Sequence, residues 1–133
     1  TKRYERPLCI ALLDIVRFKQ VNDSFGHLIG DEILILLARK IRDSLRGTDT
    51  FARWGGEEFV ILMGETDIKN AQKVCETVRK NIEELMHPIA GNITLSVGVT
   101  AVTINDTPQT LFKRCDEALY LAKSNGRNRV EVL

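Results

Sequence analysis

Apolar residues follow two patterns along the chain, short continuous runs and stripes at helical spacing. Continuous apolar runs at 8–13 and 93–102 predict two buried strands, because a strand covered on both faces lacks polar alternation. Helical spacing predicts three long helices over 29–45, 68–85 and 108–126. The apolar stripe of the first of these helices comprises Ile29, Ile33, Leu36, Leu37, Ile41 and Leu45.

Turn-forming residues delimit the remaining elements. Residues 49–63 predict a β-hairpin whose turn is Gly55-Gly56, and 129–133 predict a final short strand. Residues 18–30 predict a short helix and a turn, and Pro88 marks the exit of the second long helix. This order predicts an α/β or α+β fold, with a mixed sheet of about five strands flanked by helices. Without repeats or linkers, residues 1–133 predict a single domain.

The charge balance excludes some classes of partner. Charged residues make up 28% of the 133 residues, but the net charge is only +1. We therefore expect no general attraction to nucleic acid or to an anionic membrane, and any phosphate must be bound by a local site. A nucleic-acid-binding domain is disfavoured because the chain lacks a basic stripe. No segment is long and apolar enough to predict a membrane span.

The cysteines predict a reducing compartment. Cys9, Cys75 and Cys115 are far apart, odd in number and lack a CxxC pair, which argues against a disulfide framework or a zinc site. Each falls in an apolar run or on an apolar helix face. We therefore expect three buried thiols in a cytoplasmic protein, or in the cytoplasmic part of a larger signalling protein.

Carboxylates stand at two positions where packing does not explain them easily. Asp14 directly follows an apolar strand, where ligands bind in such folds, although a helix cap or a solvated loop carboxylate is an alternative. Glu57 and Glu58 follow the turn Gly55-Gly56, whose missing side chains would let an anion approach the backbone. Carboxylates beside a phosphate imply a bridging Mg²⁺, but an ordinary hairpin turn is equally compatible with this segment.

Two further groups are weaker signals. Asn22 and Asp31 offer an amide and an acceptor that match the hydrogen-bonding edge of guanine, although caps and turns use the same residues. Lys123, Arg127 and Arg129 lie near the end of the last predicted helix. There they would either complement the helix dipole or bind phosphates.

The segments taken together resemble the GGDEF family of diguanylate cyclases, in the GGEEF form of its signature. The order and spacing of the matches extend over nearly the whole chain. The matching segments are Asp14-Ile15-Val16-Arg17-Phe18-Lys19-Gln20-Val21-Asn22-Asp23, Phe25-Gly26-His27, Gly30-Asp31, Arg53-Trp54-Gly55-Gly56-Glu57-Glu58-Phe59, Ser96-Val97-Gly98, Asp116-Glu117-Ala118-Leu119-Tyr120, Ala122-Lys123 and Gly126-Arg127-Asn128.

The resemblance implies an activity and a fold. Two GTP would be condensed into cyclic di-GMP and two pyrophosphates where two identical domains meet, because each domain would hold one GTP. The fold would be related to nucleotidyl cyclases and to the palm of polymerases. The cofactor would be Mg²⁺, two ions in each half-site, with Mn²⁺ as an alternative.

The resemblance also implies residue roles. Asp14, Glu57 and the backbone carbonyl of Ile15 would hold the metal, and Glu58 would be a further ligand or the base for the attacking hydroxyl. The base of the substrate would contact Asn22 and Asp31, and its phosphates would contact Lys19, Lys123 and Arg127. Phe18 and the turn glycines Gly55 and Gly56 would also contact the substrate.

The sequence departs from the family at two places. Val16 stands where the family usually has a second Asp, and on an extended backbone it would face the same side as Asp14. The family's opening helix is absent from these residues. A domain that no longer turns over GTP and acts as a cyclic di-GMP or GTP receptor is therefore the alternative function.

Arg46-Gly47-Thr48-Asp49 resembles the family's RxxD inhibitory site, where product binds. Five residues separate this tetrad from the GGEEF turn. An arginine stacks on guanine and pairs with phosphate, and an Asp accepts hydrogen bonds from guanine. Arg79 on the next helix is a candidate third contact. The alternative is a charged pair at a helix end.

Overall fold

A five-stranded sheet forms the middle of the protein, in a computed structural model that describes residues 6–133. The elements in chain order are β1 (Leu8–Ile15), α1 (Phe18–Phe25), α2 (His27–Asp43), β2 (Asp49–Gly55), β3 (Glu58–Gly64), α3 (Ile68–Glu83), β4 (Met86–His87), β5 (Gly91–Asn92), β6 (Leu95–Ala101), α4 (Pro108–Ser124) and β7 (Arg129–Val132). The sheet order is β2-β3-β1-β6-β7, and β4 pairs only with β5. Only β6 and β7 run parallel, so the sheet is mixed as predicted.

The strand β1 is the middle strand of the sheet, and both of its faces are buried. Alternate residues Cys9, Ala11 and Leu13 join the larger core, which includes buried side chains of α2 and α3. The intervening residues Ile10 and Leu12 pack with side chains from α4 in a second, smaller core. Helices therefore cover both faces of the sheet, which explains why β1 reads as a continuous apolar run.

Close packing fixes α4 against the sheet at Gly98 of β6. A Cβ added there would lie 2.1 Å from the backbone nitrogen of Leu119 and 2.7 Å from the carbonyl carbon of Ala118. Real atoms do not approach so closely, so only glycine permits this contact between strand and helix. The position of α4 matters because its last turn reaches the carboxylates described below.

The predicted elements are confirmed, with shifted ends. The strand expected over 93–102 is β6. The helix expected over 68–85, with Pro88 after it, is α3 and ends at Glu83. The short β4–β5 hairpin follows it and was not predicted. On α2, Leu34 is buried whereas Leu36 is half-buried, because the helix presents a slightly different face to the core than the stripe predicted.

The three cysteines are free and buried, as predicted. Burial, with a smaller contribution from the Asp67 carboxylate, raises the pKa of the Cys9 thiol to about 11. Burial likewise raises the pKa of the Cys115 thiol to about 12 and that of the Cys75 thiol further. Among the described helices, none combines the length and the apolar character needed to cross a membrane.

Candidate active site

Three polar side chains lie directly opposite one another on neighbouring strands at the end of β1, and we call this row of three a rung. Asp14 lies opposite Glu58 of β3 on one side and opposite Ser96 of β6 on the other. Directly opposed residues of antiparallel strands point to the same face, so these three side chains emerge together. That face is the one covered by α4. Asp14 is only 7% exposed, although it is a carboxylate.

The partners of Asp14 satisfy only one of its oxygens. The Lys123 ammonium of α4 lies 2.5 Å from Asp14 Oδ2. Within residues 6–133, Asp14 Oδ1 and Ser96 Oγ are the buried side-chain oxygen or nitrogen atoms without a hydrogen-bond partner. A buried polar atom normally has a partner, so these two oxygens indicate a position prepared for a ligand.

The hairpin between β2 and β3 carries Glu57 next to this rung. Its turn is closed by Arg53, whose Nε and Nη2 donate to the Gly56 carbonyl at 2.9 and 2.7 Å. Gly56 has φ 48°, a left-handed conformation that favours glycine. The Ile15 N–H donates to the Glu57 carbonyl at 3.3 Å, which ties the turn to the end of β1.

A small cleft of about 170 Å³ opens at this place. Val16 lines it but lies in the turn after β1, not on extended backbone as predicted, and its N–H donates to the Thr94 carbonyl at 2.9 Å. The cleft is lined by Asp14, Ile15, Val16, Arg17, Phe18, Lys19, Glu57, Ser96, Lys123 and Arg127. Seven of the predicted site residues therefore share one cavity.

Burial and neighbouring charge perturb both hairpin carboxylates. The pKa of Glu57 is raised, first by burial and then by the Asp14 carboxylate, with the Lys123 ammonium opposing the rise. The pKa of Glu58 is also raised, first by burial and then by the Asp14 carboxylate. The Lys123 ammonium opposes this rise, and the Asp116 and Glu57 carboxylates add to it. Negative charge is therefore crowded here, and a bound cation would relieve it.

The donor set fits a hard metal ion. Among residues 6–133, no three His, Cys, Asp or Glu side chains form a metal cluster by themselves. Mg²⁺ does not need one, because it commonly binds one or two protein carboxylates and completes its shell with water and substrate phosphate. Asp14, with its unpartnered buried oxygen, and Glu57 are such carboxylates, and Ile15 lines the same cleft.

The two predicted base-reading residues come together between α1 and α2. A Cβ on Gly30 would lie 1.8 Å from Asn22 Oδ1, so the Asn22 side chain lies directly over Gly30. Asp31 is the next residue of α2 and is exposed. The Asn22 amide therefore lies against the residue that precedes Asp31, and neither Asn22 nor Asp31 is among the residues that line the cleft.

The predicted phosphate-binding cations line the cleft from two sides. Lys19 lies in the first turn of α1, and Lys123 and Arg127 belong to the end of α4 and the loop after it. Phe18 lines the same cleft and is buried. Arg129, by contrast, does not line the cleft, and its guanidinium lies 3.7 Å from the Glu131 carboxylate.

Arg46 and Asp49 bind each other. Asp49 accepts from the Arg46 backbone N–H at 2.8 Å and from its guanidinium at 3.1 and 2.9 Å. The Arg46 guanidinium also donates to the Thr66 hydroxyl at 2.9 Å. The Asp49 side chain is 0% exposed and that of Arg46 is 45% exposed, so only the arginine is available to a ligand.

Arg79 is engaged elsewhere. It lies about three turns along α3 from the end near Thr66, roughly 18 Å at the helical rise. Its guanidinium bonds Glu76 and Asn128 and lies 3.4 Å from the Glu83 carboxylate. The structure therefore does not bring Arg79 to Arg46, and its role in binding product stays a prediction without support from these contacts.

The sequence assigned no function to Ser96 or Trp54, although both stand in segments that match the family. Ser96 is a polar residue in a β-branched, buried strand, and that contrast was the available signal. The Trp54 ring stacks on Phe112 of α4 with centroids 4.9 Å apart, so α4 also contacts the hairpin. Nothing in the local sequence indicates this pair, because its members are distant along the chain.

Comparison with known proteins indicates the family of the chain. The family model described as diguanylate cyclase, GGDEF domain, matches residues 1–129. The chain is 43% identical over 128 residues to the diguanylate cyclase DgcP of Pseudomonas aeruginosa, an alignment covering 94% of the chain but only 19% of DgcP.

Solved structures agree as well. The active GGEEF domain of a diguanylate cyclase from Vibrio cholerae superposes with a TM-score of 0.91 at 36% identity, covering 98% of this chain and 85% of that one. The GGDEF domain of DgcB from Caulobacter crescentus, in complex with c-di-GMP, superposes with a TM-score of 0.90 at 31% identity, covering 95% and 77%. The chain belongs to the GGDEF domain family of diguanylate cyclases.

Proposed function

We propose that residues 1–133 form one catalytic domain that condenses two GTP into cyclic di-GMP and two pyrophosphates. The observation that carries this proposal is the cleft at the end of β1. There an unpartnered buried oxygen of Asp14 lies beside Glu57, with Lys19, Lys123 and Arg127 around it. Carboxylates facing cations across a small cavity suit a triphosphate bound through a metal ion.

Each group of residues in and around the cleft has a separate role in this proposal. Lys19 and Arg127 hold the phosphates in place, while Asn22 and Asp31 select guanine through its hydrogen-bonding edge. Asp14, Glu57 and the Ile15 carbonyl would hold Mg²⁺ or Mn²⁺. Such an ion would neutralise charge on the phosphates when bound. Glu58, on the same rung as Asp14, is a further ligand or the acceptor of the hydroxyl proton.

The reaction needs two domains. The 3′-oxygen of one GTP forms a bond to the α-phosphorus of the other, the bond to pyrophosphate breaks, and the hydroxyl proton leaves to the base. A second, equivalent step closes the ring. Because the reaction joins two GTP and we assign one GTP to the cleft of each domain, we propose that a homodimer brings two half-sites together.

We propose that cyclic di-GMP binds at Arg46 and inhibits from there. The strand β2 separates Asp49 from Gly55, roughly 20 Å at the usual rise, so product at Arg46 would not contact Glu57 directly. Because Asp49 is buried under the Arg46 guanidinium, its role would be to orient that arginine. The half-exposed guanidinium offers a planar cation for stacking and for phosphate.

Incubation of the purified protein with GTP and Mg²⁺, followed by nucleotide chromatography, tests the activity. Wild type should form cyclic di-GMP, and Glu57→Gln, which removes one carboxylate charge from the cleft, should not. Glu84→Gln is the matched control, since Glu84 is exposed at the end of α3. Turnover in Glu57→Gln at the control's rate would remove the metal assignment.

The alternative function is that of a receptor for cyclic di-GMP or GTP. Val16, which lines the cleft where the family usually has Asp, is the observation that favours it. Calorimetric binding of either nucleotide without turnover, at protein concentrations high enough for dimerisation, would support the receptor.

The three free buried thiols suit a cytoplasmic location, which we propose for this domain.

A further inference from the structure

The segment that carries Arg127 into the cleft has an uncommon backbone. Arg127 and Asn128 have φ 61° and 46°, both left-handed. Within residues 6–133 they are the only consecutive non-glycine residues with positive φ. An L-residue resists this conformation because its Cβ approaches a carbonyl oxygen, and asparagine resists it less than arginine. Surrounding contacts must therefore hold the segment.

Backbone and side-chain contacts both fix it. The Arg127 N–H donates to the Ala122 carbonyl at 2.9 Å, which anchors the segment to the end of α4. The Asn128 side chain turns the other way, towards α3. Its Oδ1 accepts from Arg79 Nη1 at 2.8 Å, and its Nδ2 donates to Glu83 Oε2 at 2.6 Å.

The two partners of Asn128 determine its orientation. Arg79 and Glu83 are one turn apart on α3 and form an ion pair at 3.4 Å. One presents only donors and the other only acceptors, so the amide of Asn128 fits in a single orientation. The Arg79 side chain is 15% exposed and that of Glu83 is 44% exposed, so Arg79 is the better shielded of the two partners.

We propose that Asn128, Arg79 and Glu83 form a clamp that positions Arg127 for the phosphates of GTP. The clamp holds the backbone of residue 128, and the adjacent residue 127 consequently keeps the left-handed conformation that directs its side chain to the cleft. Asn128 is then a positioning residue that acts through Arg127. The inference rests on the proposed function, because it assumes that Arg127 binds phosphate.

A double-mutant cycle tests the clamp. Affinity is measured by calorimetry with Mg²⁺ and a GTP analogue in which methylene replaces the oxygen between the α- and β-phosphates. Arg127→Ala should weaken binding by about tenfold or more, because it removes charge-assisted hydrogen bonds. Asn128→Ala should weaken it by roughly threefold or more. Adding Asn128→Ala to Arg127→Ala should change nothing further, since the clamp acts through Arg127.

Two companion variants complete the design. Asn128→Gly accepts positive φ without strain but lacks the amide, so it should weaken binding like Asn128→Ala and keeps the test valid if that variant fails to fold. Asn125→Ala is the matched control, because Asn125 is exposed and bonds Glu131 away from the cleft. It should bind as wild type.

The outcomes separate the clamp from the function. If the effects of Arg127→Ala and Asn128→Ala multiply in the double variant, Asn128 acts independently and the clamp is refuted. If Asn128→Ala and Asn128→Gly bind as wild type while Arg127→Ala binds weakly, the clamp is refuted and the phosphate assignment stands. If Arg127→Ala itself binds as wild type, the phosphate assignment fails, and the clamp fails with it.

Discussion

Replacing Gly98 by alanine should displace α4 and disturb the site without touching a site residue. The new Cβ would lie 2.1 Å from the Leu119 nitrogen, whereas ordinary contact begins at 3.4 Å. The atoms it meets are backbone, which cannot rotate away, so α4 must move by roughly 1 Å. The last turn of α4 carries Lys123 to Asp14, and a displacement of that size in a residue that positions substrate can cost up to about 10²-fold in rate.

The cost in stability should be of the order expected for an overpacked core. Such substitutions typically cost about 1–3 kcal/mol, which corresponds to a fall in Tm of roughly 5–10 °C in a domain of this size. Circular dichroism gives the Tm, and formation of cyclic di-GMP from GTP gives the rate.

Gly47→Ala is the matched control for Gly98→Ala, and both rates are taken as initial rates, before product accumulates, because Gly47 lies in the tetrad that we propose binds product. An added Cβ at Gly47 meets nothing within 4 Å, and the backbone there does not need positive φ. This variant should keep or slightly raise the Tm, because alanine restricts the unfolded chain. If Gly98→Ala matched Gly47→Ala in both Tm and rate, the close contact between β6 and α4 would not position the site.

Three further expectations concern binding and assembly. Asp31→Ala should lower GTP affinity more than ATP affinity in competition titrations, and equal losses would make Asp31 structural. Arg46→Lys keeps a cation beside Asp49 but removes the planar guanidinium, so calorimetry should show weaker binding of cyclic di-GMP; unchanged affinity would remove Arg46 from the product site. Activity per molecule should rise with protein concentration. A rate strictly proportional to protein concentration, in a protein that forms no tight dimer, would contradict the two-domain reaction.

The elements were predictable from the sequence where the periodic signal was long. Runs such as 8–13 and helical stripes such as 68–85 reflect burial that continues over several turns or a whole strand. The hairpin β4–β5 was missed because two-residue strands have no alternation to detect. The helix ends differ from the predicted ends because helix propensity is a weak signal at the ends. The tertiary contacts that end a helix involve residues distant in sequence.

For the candidate site, the sequence indicated which residues to consider but not how they are arranged. Motif spacing indicated Asp14 and Glu57, but their closeness to Lys123 depends on how β1, the hairpin and α4 pack. The closed pair of Arg46 with Asp49 follows from loop geometry, which composition does not reveal. Arg79 was interpreted as a ligand contact because its charge was visible, whereas its partner Asn128 lies far away in sequence.

The buried cysteines make the folded protein nearly inert towards thiol reagents. Only the thiolate reacts, and a thiol with a pKa of about 11, as at Cys9, is ionised in roughly one molecule in 10⁴ at pH 7. Titration with an aromatic disulfide should therefore detect almost no thiol in native protein and three after denaturation. Rapid labelling of the native protein would contradict this. A single cysteine introduced at exposed Gln72 would then be the only reactive site, so a fluorescent label could follow pairing of two domains without removing any native residue from the core.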